Sequence, residues 1–125
     1  MKNKKIRRWL KISIWVFVLL SATELVLRFL IGLGDVPVYI EDEKYEYSYA
    51  PDQDVWRYGN HFVTNEFGMR SKPINKKKKI TILEFGDSVL NGGTHVGQEE
   101  LATTLEENSL NEKWNNEAQV LNVSA

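Results

Sequence analysis

The chain has no cysteine, so neither a disulfide nor a thiolate metal site holds any part of it together. Histidine is almost as scarce. His61 and His95 are the only two, too few and too far apart for a ligand cluster, so no metal centre and no other cofactor is expected. Three prolines and eight glycines in 125 residues exclude collagen-like and disordered low-complexity chains. No internal repeat is visible. A Walker-type phosphate loop is missing because no lysine follows the second glycine, and G-x-G-x-x-G does not occur. There is also no overall excess of charge of one sign, since the net charge is −1.

That neutrality is a cancellation between unlike parts. Residues 1–34 carry seven Lys or Arg and one acid, whereas residues 35–125 carry nine bases and sixteen acids. Lys2, Lys4, Lys5, Arg7, Arg8 and Lys11 precede an apolar run, ISIWVFVLLSA, that resumes past Glu24 and Arg28 as far as Leu33. Read as one helix, residues 12–34 span about 34 Å at 1.5 Å per residue, enough to cross a bilayer. A cleaved secretory signal and a buried soluble helix are the alternatives. The uncleaved anchor is preferred, because Ser21, Ala22 and Thr23 make a poor cleavage site and apolar residues follow at once. Glu24 and Arg28, four apart, share a helix face and can pair. Basic residues before the span and acids after it predict a cytoplasmic N-terminus and an extracytoplasmic remainder, by the positive-inside rule. The expected division is a basic tail (1–11), a membrane anchor (12–34), an aromatic lead-in (35–79) and the start of a folded domain (80–125).

The lead-in lacks a helical period. Tyr45, Tyr47 and Tyr49 alternate, which predicts a short strand with its tyrosines on one face, ended by Pro51. Trp56, Tyr58, Phe62 and Phe67 predict turns and short extended pieces. They could form a platform for a sugar or a membrane interface, but packing of a small subdomain is the preferred reading. Asn65-Glu66-Phe67-Gly68-Met69-Arg70 has turn chemistry. The run Lys76 to Lys79 reads as a solvated approach to the next strand, and no nucleic-acid partner is expected.

Ile80 to Phe85 is β-rich and mostly apolar, as expected for a strand buried on both faces of a parallel sheet. Gly86-Asp87-Ser88 follows, then Val89-Leu90-Asn91-Gly92-Gly93. Leu101 and Leu105 predict a helix with Glu99 and Glu100 in its first turns, where the helix dipole favours them. Val120 to Val123 supplies a second strand, completing β-α-β. Open α/β sheets place ligands at the C-terminal edge of their strands. A serine there, on a tight turn whose N–H groups can converge on one point, is a candidate nucleophile if a base is near. An ordinary β-α turn is equally compatible with these residues. Both histidines read as turn or surface residues. Asn122-Val123-Ser124 matches the glycosylation sequon only formally.

Phe85-Gly86-Asp87-Ser88 with Gly92 resembles the first signature block of the SGNH/GDSL hydrolase superfamily. Membrane-anchored bacterial members are similar over more of the chain. They share an N-terminal span and an N-x-x-G-x-R element, here Asn65, Gly68 and Arg70, and the ending Val120 to Ala125 resembles the start of their second block. The resemblance implies an N-terminal transmembrane helix followed by the first β-α-β part of a flavodoxin-like three-layer α/β domain, and it implies acyl-ester chemistry. Ser88 would be the nucleophile and its N–H part of an oxyanion hole, with Gly86, Asp87 and Gly92 shaping the turn. Val89 stands where many members have leucine. The second-block glycine, the third-block asparagine and the Asp-x-x-His of the family are expected beyond Ala125. The expected partners are the lipid bilayer, through residues 12–34, and an ester or acylated-glycan substrate. Related folds also transfer acyl groups on surface polysaccharide, and an anchored interaction protein without chemistry is the reading of a different class.

With two strands and one helix of the main sheet, one face of each strand lacks cover. Residues 35–125 expressed alone are therefore expected to be insoluble or molten, and cooperative thermal unfolding of that piece would contradict the expectation.

Overall fold

A computed structural model describes residues 2–44 and 46–124. Helix α1 (Lys2–Leu25) begins inside the basic tail and continues through a π-helical turn, Val26–Leu30. The basic residues thus belong to the helix itself. Asn3–Leu30 is long and apolar enough to cross a membrane by length and composition. The helix does not reach residue 34 as the apolar pattern suggested. It stops at Leu30, and Gly32 takes a left-handed conformation (φ +73°) against the backbone of Trp56. Glu24 and Arg28 do pair, with Arg28 Nη2 donating to Glu24 Oε1 at 2.6 Å.

The lead-in forms two antiparallel hairpins. Strand β1 (Tyr39–Asp42) pairs with β2 (Glu46–Tyr49), and β3 (Asp54–Arg57) pairs with β4 (Asn60–Val63). Tyr39 packs its ring on Tyr47 (5.8 Å between centroids) and on Tyr49 (4.4 Å), so those two tyrosines do share a face. Tyr45, the first of the expected three, lies outside the described residues. Phe62 from β4 is buried against Tyr49, whereas Phe67 remains exposed.

Strand β5 (Ile80–Gly86) pairs in parallel with β6 (Ala118–Ser124), in register from Ile80–Ala118 to Gly86–Ser124. A one-turn helix α2 (Ser88–Asn91), two short 3₁₀ turns and helix α3 (Ala102–Lys113) connect them. The expected β-α-β order is present. Burial is divided differently from the expectation, however. Strand β6 is buried along nearly its whole length, but β5 is not covered on both faces. Leu83 is 48% exposed and Phe85 75% exposed.

Helix α3 also docks in an unexpected way. Leu101 is buried just before it, while Leu105 points outward. The acids Glu99 and Glu100 precede the helix in a separate 3₁₀ turn, and its first turn holds no acid. What α3 presents to β6 is a polar stripe. Glu107 Oε2 accepts the Val120 N–H at 2.8 Å, and Asn111 exchanges two bonds with the backbone of Ala118 (2.9 and 3.0 Å). The outer edge of β6 offers unpaired backbone groups, and satisfying them outweighs burying one leucine.

One carboxylate pair ties α3 to the other strand. Glu84 of β5 hydrogen-bonds Glu106, and this shared bond, then desolvation, then the neighbouring charge, raise the Glu84 pKa from 4.5 to about 7. The folded state therefore holds a proton that the unfolded chain releases near pH 4.5, so this contribution to stability is present at low pH and is lost as pH rises through about 7. Glu84→Gln should remove that dependence. Thermal midpoints of the two proteins in detergent, followed from pH 4.5 to 8, should diverge in favour of the variant from about pH 4.5 upward and run parallel above about 7; curves parallel throughout would contradict the pair.

Candidate active site

Gly86 ends β5 because a side chain has nowhere to go: an added Cβ would stand 2.6 Å from Leu90 Cβ. Its role is to make room for Leu90, rather than to supply an unusual backbone angle. Asp87 caps α2, its Oδ1 accepting the Val89 N–H at 2.9 Å, an arrangement that stabilises a helix start by about 1 kcal/mol. Ser88 is the first residue of α2 and is exposed. Among the described residues none hydrogen-bonds its hydroxyl, and none accepts its backbone N–H. The turn closes at Gly92, whose N–H donates to the Ser88 carbonyl at 3.0 Å with φ +70°. That left-handed angle, with Val96 Cβ 2.9 Å from where a Cβ would stand, requires glycine.

Of the four expected site residues, Gly86, Asp87, Ser88 and Gly92 thus make one local turn at the C-terminal end of a parallel strand. The histidines are elsewhere engaged. His95 stacks on Tyr58 with centroids 4.9 Å apart, and His61 Nδ1 lies 3.0 Å from Asp54 Oδ1. A cleft of about 670 Å³ opens beside the same strand ends, lined by Tyr47, Tyr49, Phe67, Met69, Phe85 and Val123. Neither that cleft nor a cavity of about 180 Å³ between Ser71, Lys78, Thr104 and Glu107 is lined by any of the four turn residues.

Three buried polar residues position this turn, and sequence reasoning did not identify them as its supports. Asn91 is 2% exposed; its Oδ1 accepts from the Tyr49 hydroxyl (3.2 Å) and the Gly93 N–H (3.1 Å), and its Nδ2 donates to the Ser124 carbonyl (3.1 Å). It joins the lead-in, the turn and the end of β6. Asn122, fully buried, donates from Nδ2 to the Leu90 carbonyl at 2.9 Å, which puts the sequon asparagine out of reach of a glycan. The available signal was a polar residue inside the apolar run Val120-Leu121-Asn122-Val123.

The third is Arg70. Its guanidinium is fully buried and donates to the carbonyls of Gly93 and Val96 (2.8 Å for the latter) and to Gln98 Oε1 (3.4 Å), stacked 3.9 Å above the Phe62 ring. Burial lowers its pKa to about 10, partly offset by Tyr49, so it is charged at neutral pH. Burial, with the bond from Tyr39, pushes the Tyr49 phenol up. The turn before Arg70 explains the spacing of the element. Asn65 Oδ1 accepts the N–H groups of Phe67 and Met69, both at 3.0 Å, and Gly68 (φ +72°) lies where a Cβ would stand 2.2 Å from the Tyr49 carbonyl oxygen. The loop after the candidate nucleophile is therefore held from the lead-in side.

Comparison with known proteins gives no match, whether to family models, to curated sequences or to solved structures.

Arg70→Met should lose about 3 kcal/mol or more, because the loop carbonyls are left buried without donors. Arg70→Lys should recover little, since one ammonium cannot span three acceptors held by a planar fork. Chemical denaturation of both variants in detergent measures this, and a wild-type midpoint for Arg70→Met would remove the residue from its bracing role.

Proposed function

We propose that the chain is the N-terminal part of a membrane-anchored serine esterase of SGNH type, acting outside the cytoplasm, with Ser88 as nucleophile. The observation that supports this most is the placement of Ser88. It is exposed, its hydroxyl is uncommitted, and it opens a tight turn at the C-terminal end of a parallel strand. A nucleophile needs that combination of rigid backbone and free side chain.

In this reading Ser88 Oγ attacks an ester carbonyl carbon, and the oxyanion that forms is held by backbone N–H groups including that of Ser88. Collapse expels the alcohol, and water or a sugar hydroxyl then takes the acyl group from the serine. Water gives an esterase; a sugar acceptor gives an O-acyltransferase on surface polysaccharide. The proton from Oγ goes to a base, which returns it to the departing alcohol; the base belongs to the proposal, as a histidine supplied from outside residues 1–125, since neither His61 nor His95 hydrogen-bonds Ser88. Gly86, Asp87 and Gly92 are the turn and oxyanion-hole residues of this reading; they hold the Ser88 backbone in place. The apolar cleft beside Phe85 suits the acyl side of such a substrate. The charge pattern around the anchor supports a single-pass protein with its N-terminus in the cytoplasm and its domain outside.

Ser88→Ala in the full-length protein should lower turnover of a short-chain acyl ester by roughly 10³-fold or more. Folding should be unaffected, since the Ser88 side chain makes no hydrogen bond to any described residue. Unchanged turnover would remove Ser88 from the nucleophile role. Absence of turnover in the wild type, with several acyl acceptors tried, would favour the anchored interaction protein.

A further inference from the structure

The anchor helix is fastened to the domain. Across the tip of the β3–β4 hairpin, the Tyr58 N–H donates to the Ile31 carbonyl at 2.7 Å, and Arg57 Nη1 donates to the Asp35 carbonyl at 2.9 Å. Gly32 lies so close beneath the hairpin that a Cβ there would stand 2.2 Å from the Trp56 carbonyl oxygen. On the helix side, the Leu33 N–H reaches back to the Leu27 carbonyl at 3.1 Å. Residues 31–35 thus form a braced corner, with backbone bonds to the helix on one side and to the hairpin on the other.

Length fixes the depth of that corner. From Ile12, the residue after Lys11, to Leu30 the helix rises about 28 Å, close to the roughly 30 Å of a bilayer's hydrocarbon core. With Lys11 in one headgroup layer, Ile31 arrives at the other. The backbone of Trp56 and Tyr58, held against Gly32 and Ile31, arrives there too. The Trp56 ring packs on His61, and the exposed Tyr58 is the aromatic that suits this depth, since Tyr concentrates where an apolar body and a polar edge are both satisfied. Arg57 lies 4.7 Å over the Tyr58 ring, offering a cation beside lipid phosphates. Leu33 and Val36 are 42% and 57% exposed on the same corner. Below it, Arg28 is neutralised by Glu24 and its long stem can reach the same layer.

We propose that residues 31–36 and the hairpin tip Trp56–Gly59 rest on the headgroup layer of the bilayer, so that the domain is held on the membrane in one orientation instead of swinging on a linker. The proposal rests on the reading of the N-terminal helix as a membrane anchor, and it adds a second lipid contact made by the folded domain. For a substrate carried on or near the surface, a fixed orientation presents the Ser88 edge at one height.

The absence of cysteine makes a direct test simple. Leu33→Cys, Val36→Cys, Leu105→Cys and Leu19→Cys in the full chain each carry one thiol, all at exposed positions. Each is labelled with an environment-sensitive fluorophore and reconstituted into phosphatidylcholine vesicles containing nitroxide lipids, either shallow or deep. Labels at 33 and 36 should lose most of their emission to shallow nitroxides and little to deep ones. The label at 19 should respond to deep nitroxides, and the label at 105 to neither. If 33 and 36 behave like 105 while 19 is quenched, the domain stands off the membrane and the proposal fails with the anchor intact. If 19 is not quenched, the anchor reading fails and takes the proposal with it.

Discussion

A buried guanidinium organises this protein. Among the described residues Arg70 has no carboxylate partner; its charge is compensated by carbonyl oxygens, the Gln98 amide and the face of Phe62. Such an ion is costly to desolvate, and the cost is met only if all these acceptors stay in place together. The lead-in and the loop after Ser88 are therefore interdependent. The hairpin β3–β4 brings Phe62, the turn at 65–70 delivers the arginine, and the loop at 93–98 supplies the oxygens. None of these three segments has a sizeable apolar core of its own, so the buried cation sets their mutual geometry more than hydrophobic contact does.

The sheet is asymmetric for a related reason. The outer edge of β6 is closed by side chains: Asn111 on Ala118, Glu107 on Val120, and Ser71 on the Asn122 N–H at 2.7 Å. Closing an edge in this way prevents further strands from adding there. Strand β5 has no second strand partner among the described residues, and it carries the exposed Leu83 and Phe85. Leu83 and Phe85, two apart, share one face of β5, and that face is uncovered. The candidate nucleophile follows β5, the strand with the open edge, and this agrees with open α/β sheets, where sites lie between strands rather than at a finished margin.

Much of this was legible in the sequence where the signal is local. The Gly86-Asp87-Ser88 turn, the Asn65–Arg70 turn and the Glu24–Arg28 pair depend on residues within a few positions of one another, and pattern rules read those distances well; the two strands of the parallel pair were legible because each carries its own local apolar run. The hydrogen-bond partners of Arg70 lie 23 to 28 residues away, and no periodicity encodes them. Leu105 misled because a leucine four after Leu101 signals an inward stripe only if the strand beneath wants apolar cover; here its edge wanted acceptors and donors. The helix end misled similarly. Leu33 continues the apolar composition, but the hairpin backbone against Gly32 stops the helix three residues earlier.

These observations meet at Ser88. Its position is determined from two directions, by Asn91 and Asn122 on the β6 side and by Arg70 through the Gly93–Gln98 loop on the lead-in side, yet its own side chain carries none of that load. A side chain placed by others and engaged with no described residue is expensive to specify by folding alone, because every supporting polar group must be buried and satisfied. If the turn were only a connection between strand and helix, a shorter set of polar contacts would hold it, and the hydroxyl would be available to share in them. The distribution of buried Asn, Arg and Ser around an unburdened serine is what the nucleophile role proposed for Ser88 would require.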